Sequence, residues 1–430
     1  MLAFLGFVTI VVLLALVMTK KASVVVALIL VPIITAVLGG FGGQVAGFIT
    51  NGLRSIAPTG VMFIFAILFF GILTDAGTFS PIIKKILKVV GNDPVKIAIG
   101  TAILGMLAHL DGSGATTFLI SIPALLPLYD AMGMRRTTLA TIVALSAGTM
   151  NVLPWGGPTI RAATSLEISV TELFNPLLIP VLIGLAAVIF VAFLLGKQER
   201  KLIGSKTADV DTTYEQDDNK AALERPKLFI VNILMIIIAV ATLVSGKLPP
   251  QVVFMIAFAV ALIANYPNVK EQRERIDAHA KASLMMASIL FAAGAFTGIL
   301  SGTGMITAMA EAAVTAIPVS LGARIPLITG VISMPASLLF DPDSFYFGVL
   351  PVLSSTASQF GVDAISVGRA AILGQMTTGF PVSPLTGATF LLIGLTGVDL
   401  GDHQKKTIPY AFMVTIVMLV VAVVMGVIPV

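Results

Sequence analysis

The chain has 430 residues, 57% hydrophobic and only 11% charged, where a soluble domain carries about 25% charged residues. These values exclude a soluble globular fold. Together with the long apolar runs they also exclude a disordered chain, which leaves a membrane-embedded protein. The net charge of +4 calls for no nucleic-acid partner, and the absence of cysteine excludes disulfides, thiolate metal sites and thiol nucleophiles.

A run of ~20 apolar residues spans the ~30 Å hydrocarbon core. The first half predicts spans near residues 2–18, 22–39 and 57–76. The first has no basic leader and no small-residue cleavage site, so it reads as a retained helix. Lys20 and Lys21 behind it favour an outside N-terminus. Residues 79–90 set Lys84, Lys85 and Lys88 beside Ile82, Ile83, Ile86 and Leu87, the pattern of an amphipathic helix on the cytoplasmic surface.

Residues 94–132 are apolar but interrupted by Asp111-Gly112-Ser113-Gly114. They form either two spanning helices with a tight turn or a re-entrant hairpin. Residues 135–165 would make a helix of about 45 Å, longer than the core. They contain Pro154, Gly156, Gly157 and Pro158, which no regular helix accommodates, so this span is broken. A further span covers 175–196, and 197–227 is a hydrophilic cytoplasmic linker.

The second half (228–430) follows the plan of the first (1–196). Spans lie near 228–246, 249–265 and 283–302, with an amphipathic stretch at 304–322. A second interrupted run, 325–360, centres on Asp341-Pro342-Asp343-Ser344. A second broken span, 364–396, holds Gly379, Pro381, Pro384 and Gly387, and the last span is 408–429. Gly71-Ile72-Leu73 recurs as Gly298-Ile299-Leu300, Leu145 as Leu373, Pro154 as Pro381 and Asp111 as Asp341. The shared register argues for an internal repeat.

If both interrupted runs are re-entrant, each half has five spans and the halves are inverted. Twenty-one of the 26 Lys and Arg residues then fall inside. If the runs crossed fully, Arg135 and Arg136 would fall outside, opposite Lys84, Lys85 and Lys88. The charges favour ten spans plus two re-entrant hairpins, with both termini outside.

Unwound backbone at membrane depth survives only where protein or a water-filled cavity covers it, so the two tips and two breaks should converge on one site. Half-helix N-termini suit an anion, and carboxylates suit a cation. At the first tip stand Asp111, Ser113, Gly114, Thr116 and Thr117; Asp111 is either a ligand or a turn cap. At the first break stand Asn151, Trp155, Gly156, Gly157, Thr159 and Arg161. Trp155 reads as a site residue or an interfacial anchor. Arg161 grips a carboxylate or snorkels outward. Asp341, Asp343 and Ser344 at the second tip fit divalent-cation binding, proton carriage or an outward-facing turn with solvated acids, and Asp111, Asp341 and Asp343 are the candidate metal ligands. Thr377, Thr378, Ser383 and Thr386 mark the second break, some of them re-satisfying carbonyls. Asp111, Asp341 and His109 are the proton-coupling candidates, His109 reading also as a neutral, hydrogen-bonded buried histidine. His279 and His403 read as unremarkable cytoplasmic residues, and Asp75 as an ion-pair partner.

No nucleotide-binding motif is present, so an ion gradient is the expected energy source. Ser113 with His109 is the one local candidate for an intramembrane nucleophile and base, and nothing positions them as a dyad.

Residues 110–117, Leu-Asp-Gly-Ser-Gly-Ala-Thr-Thr, and 148–159, Gly-Thr-Met-Asn-Val-Leu-Pro-Trp-Gly-Gly-Pro-Thr, resemble the citrate–metal complex:proton symporter family of the ion transporter group. So do the opening residues and the stretch 57–77, and the similarity runs through the whole chain. The resemblance implies an all-α fold of inverted five-span repeats with two re-entrant hairpins and a homodimeric scaffold. It implies proton-coupled carriage of citrate with a divalent cation of the Mg or Ca type, no permanently bound cofactor, and residence in the cytoplasmic membrane. Ser113 stands where a second acidic residue can occur in that family. A gluconate- or lactate-type hydroxycarboxylate symporter is the alternative within transporters.

The topology is directly testable because the chain lacks cysteine. Single cysteines at residues 20, 135 and 210 should all be shielded from an impermeant reagent in intact cells. Labelling at residue 135 would overturn the hairpin reading.

Overall fold

A computed structural model describes residues 1–19, 21–203 and 222–430. Residue 20 and most of the linker, with residue 210, lie outside the described residues. The described chain is helical throughout and contains no strand. Helices α1 (Leu2–Met18), α2 (Val24–Leu38) and α4 (Ser80–Val90) fall where the apolar and amphipathic patterns put them.

Two helices are much longer than the apolar pattern predicted. Helix α3 is Val45–Asp75, beginning twelve residues ahead of the expected 57, and its interior includes Asn51, Arg54 and Pro58. The span expected at 283–302 is the C-terminal part of a helix that runs Val269–Gly302 (below, α13). Hydropathy reports the bilayer, not the helix, so polar turns that project beyond it read as loop. Asn268 caps the start of this helix, its side chain accepting from the Lys270 N–H at 2.8 Å.

The interrupted run becomes α5 (Pro94–Ala108), a 3-10 turn His109–Asp111, and α6 (Gly114–Met132). The broken span becomes α7 (Arg136–Met150) and α8 (Gly157–Ser165). Helix α9 (Val170–Phe174) leads through a 3-10 turn into α10 (Leu178–Ile203), so residues 197–203 continue a helix and are not linker. Helices α11 (Phe229–Ser245), α12 (Pro250–Asn265), α13 (Val269–Gly302), α14 (Met305–Ala316) and α15 (Val319–Gly322) follow. Next come α16 (Ile325–Ala336), a π-helical turn Ser344–Val349, and α17 (Leu350–Gln359). The second broken span is α18 (Ala364–Ile372), a 3-10 turn Phe380–Val382, and α19 (Gly387–Thr396). Helix α20 (Leu400–Val424) starts eight residues ahead of the expected 408. Seven helical segments among the described residues are long and apolar enough to cross a membrane.

The longest contact joins α3 and α13, antiparallel along most of their length. The Phe291 ring lies where a Cβ on Gly60 would go, Ile56 packs on Gly294, and Phe48 packs on Gly298 and Gly302. A Cβ on Gly52 would collide with the Gly294 carbonyl oxygen. Gly294, Gly298 and Gly302 thus form a small-residue stripe, which lets backbones approach where lipid supplies no hydrophobic drive. At one end Asp75 Oδ2 pairs with Arg275 (3.1 Å) and His279 Nε2 (2.9 Å). The expected ion pair at Asp75 is therefore made with α13 rather than with the lysines of α4.

A second charged cluster closes the other bundle. Glu199 of α10, 1% exposed, accepts from the Arg135 backbone N–H (3.2 Å), Arg135 Nε (2.7 Å) and Thr138 Oγ1 (2.5 Å). The next residue, Arg200, pairs with Asp93 at 2.6 Å. Both feet of the α5–α6 hairpin therefore meet the same turn of α10.

The glycine seam is separable from helix propensity. Gly52→Ala should lower stability by about 1–3 kcal/mol, because its neighbour is backbone and cannot move aside. Gly47→Ala on the same helix meets nothing within 4 Å and should be neutral or slightly stabilising. Thermal unfolding of the two variants in one detergent checks this.

Candidate functional site

Helix α7 stops at Met150 because the following residues cannot stay helical. A Cβ at Gly156 would collide with the Asn151 carbonyl oxygen, so only glycine lets the chain fold back there. Thr159 Oγ1 donates to Val152 O at 2.7 Å and ties the two sides of the break together. Trp155 is 3% exposed, and its indole N–H donates to Leu110 O of the first tip at 2.8 Å. Its ring stacks on Phe70 (5.3 Å) and meets Phe254 edge-on (5.7 Å). It is a buried brace, not an interfacial anchor.

The second break is longer, residues 373–386. Cβ atoms at Gly374 and Gly379 would collide with Ser333 and Ser337, so the unwound chain lies directly on α16. Met376 has φ +52°, a conformation costing a non-glycine residue about 1–2 kcal/mol. It is clamped from both sides. Its N–H donates to Ser337 Oγ at 2.9 Å, and its carbonyl accepts from Asn151 Nδ2 at 2.7 Å. Tyr346 OH takes the neighbouring Gln375 carbonyl at 2.6 Å.

Side chains also claim three consecutive carbonyls further along the break. Thr386 (2.9 Å) and Thr389 (3.0 Å) donate to Phe380 O. His403 Nε2 (2.9 Å) meets Pro381 O, and Gln404 Nε2 (2.8 Å) meets Val382 O. Ser383 donates to Ser337 O, and the Thr378 hydroxyl pairs with Thr415 at 2.6 Å. Ser383, Thr386 and Thr378 are thus engaged with protein. The buried Thr377 hydroxyl has no partner among the described residues.

The tips are built alike. Asp111 Oδ1 accepts the Ser113 N–H at 2.8 Å, and Ser113 Oγ accepts from the Thr116 N–H (3.2 Å) and hydroxyl (3.0 Å). Thr117 donates to Ser113 O at 2.7 Å. Asp341 accepts the N–H groups of Asp343 (3.1 Å) and Ser344 (3.0 Å) and the Ser344 hydroxyl (2.5 Å). Both lead carboxylates therefore organise their own turns.

Each tip touches both breaks. His109, fully buried, places Nδ1 2.8 Å from Thr117 Oγ1 and Nε2 3.4 Å from Asn151 Oδ1. Phe118 beyond the first tip stacks on Phe380 of the second break at 6.1 Å. A Cβ on Gly148 would sit 2.7 Å from Thr377 O, bringing the breaks together. Arg161 of α8 reaches Asp343 of the second tip at 2.6 Å, with side chains only 9% and 11% exposed. The buried Arg161 does not snorkel to a surface.

The N-termini of the second half-helices lie against the tips, Ala388 of α19 packing where a Cβ on Gly114 would go. Helices α8 and α19 start at Gly157 and Gly387 with no side chain capping them among the described residues. Their free N–H groups and dipole ends favour an anion. Asp111, Asp341 and Asp343 do not gather into a metal-holding cluster with one another, and no group of three or more His, Asp or Glu residues among the described residues does so.

Sequence reasoning missed Ser337, Gln375, Met376, Tyr346 and His403. His403 is fully buried against the second break rather than exposed. For Ser337, Tyr346 and Gln375 the usable signal was a polar residue inside an apolar run, which must have a partner.

Similarity to known proteins fits this architecture. Residues 8–374 match the model of a citrate transporter family. Two relatives from Bacillus subtilis (strain 168) cover the chain end to end. The chain is 49% identical to a citrate transporter, covering 100% of both chains, and 44% identical to a Mg(2+)/citrate complex secondary transporter, covering 99% of each. Among solved structures, the YdaH transporter of Alcanivorax borkumensis superposes with a TM-score of 0.62 at 15% identity, over 91% of this chain and 88% of its own. MtrF of Neisseria gonorrhoeae gives 0.59 at 11%, over 90% and 84%. The fold is shared with those two solved structures, and the chain is a multi-pass protein of the cell membrane and a transporter rather than an enzyme. It belongs to the citrate transporter family.

Proposed function

We propose that the chain carries citrate as a complex with a divalent cation of the Mg or Ca type, in symport with protons, and works as a homodimer. The observation that carries this reading is the buried Arg161–Asp343 pair where the first break meets the second tip. A buried pair is costly to break by removing one partner, about 3–5 kcal/mol, because the other charge is left alone. Free citrate could draw Arg161 away but would strand Asp343. A metal–citrate complex offers both signs at once: carboxylate oxygen for the guanidinium and cation for Asp343. The uncapped α8 and α19 N-termini lie in the same two broken spans and suit the remaining carboxylates. The relative named for a Mg(2+)/citrate complex supports the same cargo.

Asp341 is held by three donors and serves mainly to shape its tip, whereas Asp111 spends one oxygen on one N–H. Asp111 is thus the better proton-coupling group, with His109, whose two ring nitrogens face Thr117 and Asn151, beside it. In favour of two inverted repeats, residues 1–196 and 228–430, several packing pairs recur in corresponding places. Helix α3 on α12 matches α13 on α2, α5 on α10 matches α16 on α20, and α5 on α7 matches α16 on α18. The two feet of the first hairpin at one turn of α10 support a run, 94–132, that enters and leaves on one side. The second hairpin, 325–360, is its counterpart.

Uptake of labelled citrate into proteoliposomes tests the reading. Uptake should require a divalent cation, follow an imposed proton gradient, and ignore a sodium gradient at fixed pH; sodium-driven uptake would sink it. Competition by gluconate in the presence of chelator would favour the hydroxycarboxylate alternative. Asp343→Asn should cut uptake at least tenfold, about 1.4 kcal/mol, and flatten its metal dependence. Asp111→Asn should abolish proton-driven accumulation while the protein still inserts. Asn151→Ala leaves the Met376 carbonyl unpaired and should destabilise the site by about 1–3 kcal/mol, read as a lower unfolding temperature and lost uptake.

A further inference from the structure

Helix α20 is apolar along most of its length, yet its first turns bury His403 and Thr407 completely and half-bury Gln404 and Lys406. These residues do not touch the Arg161–Asp343 pair. They face the back of the second break instead. Pro381 O and Val382 O are consecutive carbonyls of unwound chain, and His403 and Gln404 take one each. Only an N–H can satisfy a carbonyl, so His403 carries its proton on Nε2. In the neutral ring Nδ1 then accepts the Thr407 hydroxyl at 3.2 Å, and the Thr407 oxygen is left to accept from Thr141 Oγ1 of α7 at 2.8 Å. One hydrogen-bonded line thus runs from the first broken span, through α20, to the second.

We propose that His403 is a positioning residue for transport: its Nε2–H fixes the unwound Phe380–Val382 turn, and so aims the uncapped N-terminus of α19 into the site. The physical reason is reach. Pro381 lies six residues before Gly387, with Pro384 between them, so the turn and the half-helix move as one short, stiff segment. Releasing Pro381 O would leave a buried carbonyl seeking another donor, and the nearest solution is to re-wind or shift the turn. The anion-facing N–H groups of α19 would move with it. This inference rests on the reading that the second break lines the substrate path.

Two near-isosteric variants separate the two ends of the imidazole. Glutamine's amide reaches the Nε2 position, and asparagine's reaches the Nδ1 position. His403→Gln keeps the bond to Pro381 O, whereas His403→Asn keeps only the link to Thr407. Metal–citrate uptake kinetics should give His403→Gln a KM within about threefold of the parent. His403→Asn should raise KM about tenfold while the maximal rate falls much less, the signature of a displaced binding group. A purely structural role would move both variants alike, in KM, maximal rate and unfolding temperature, and would overturn the proposal.

A control separates failure of the underlying reading. A single cysteine at the exposed Leu385, in the otherwise cysteine-free chain, should be protected from a maleimide by magnesium with citrate. Absence of protection with His403 intact would remove the second break from the substrate path, and the proposal with it.

Discussion

Inside a bilayer every freed backbone N–H and C=O must find a partner in the protein, and this requirement shapes the centre of the molecule. Two helices unwind there, and nearly every polar side chain nearby is spent on the consequence. Asn151 takes the Met376 carbonyl, Ser337 takes the Met376 N–H, and Tyr346 takes Gln375 O. Thr386, Thr389, His403 and Gln404 claim the carbonyls of Phe380, Pro381 and Val382. Left without a side-chain cap or partner among the described residues are the α8 and α19 N-termini, the Thr377 and Thr149 hydroxyls and the Gln375 amide nitrogen.

The same requirement explains the glycines. An unwound strand can be satisfied by a neighbouring helix only if it lies directly on it, and Gly374 and Gly379 permit that contact with α16. In the α3–α13 seam glycine serves a different end. There the backbones are fully helical, and close approach replaces the hydrophobic drive that lipid does not provide. The first use joins an unwound strand to a helix, and the second joins two helices.

Much of this was legible in the sequence, for identifiable reasons. Asp111, Asp341 and the proline–glycine clusters break apolar runs abruptly, so both tips and both breaks appear where they were expected. The lengths of α3 and α13 were not legible, because Arg54 and residues 271–277 are polar and a hydropathy pattern ends where the bilayer ends. The partner of Asp343 was hidden for another reason. Two acids two residues apart suggest a cation site, but an arginine 182 residues away claims one of them, and only the fold brings it there. His403 was misread because its neighbours Asp402 and Lys405 look like a solvated loop, whereas the helix turns His403 inward.

The two breaks are unequal, and that inequality follows from a single amide. Helix α7 continues five residues past Leu145, to Met150, whereas α18 ends at Ile372, before the corresponding Leu373. Had α18 run on as α7 does, the Met376 carbonyl would lie in the last turn of the helix, where its counterpart Gly148 O is taken by the Asn151 N–H three residues ahead at 3.2 Å. Asn151 would then hold a buried donor with no acceptor, at a cost of about 1–3 kcal/mol. Unwinding early frees that carbonyl and puts Met376 in a left-handed conformation whose cost the two flanking bonds can offset. The longer break reaches over to meet the shorter one, and the two broken helices join through one neutral hydrogen bond. No second charge is needed at that junction, and the buried charge pair Arg161–Asp343 is made elsewhere, between α8 and the second tip.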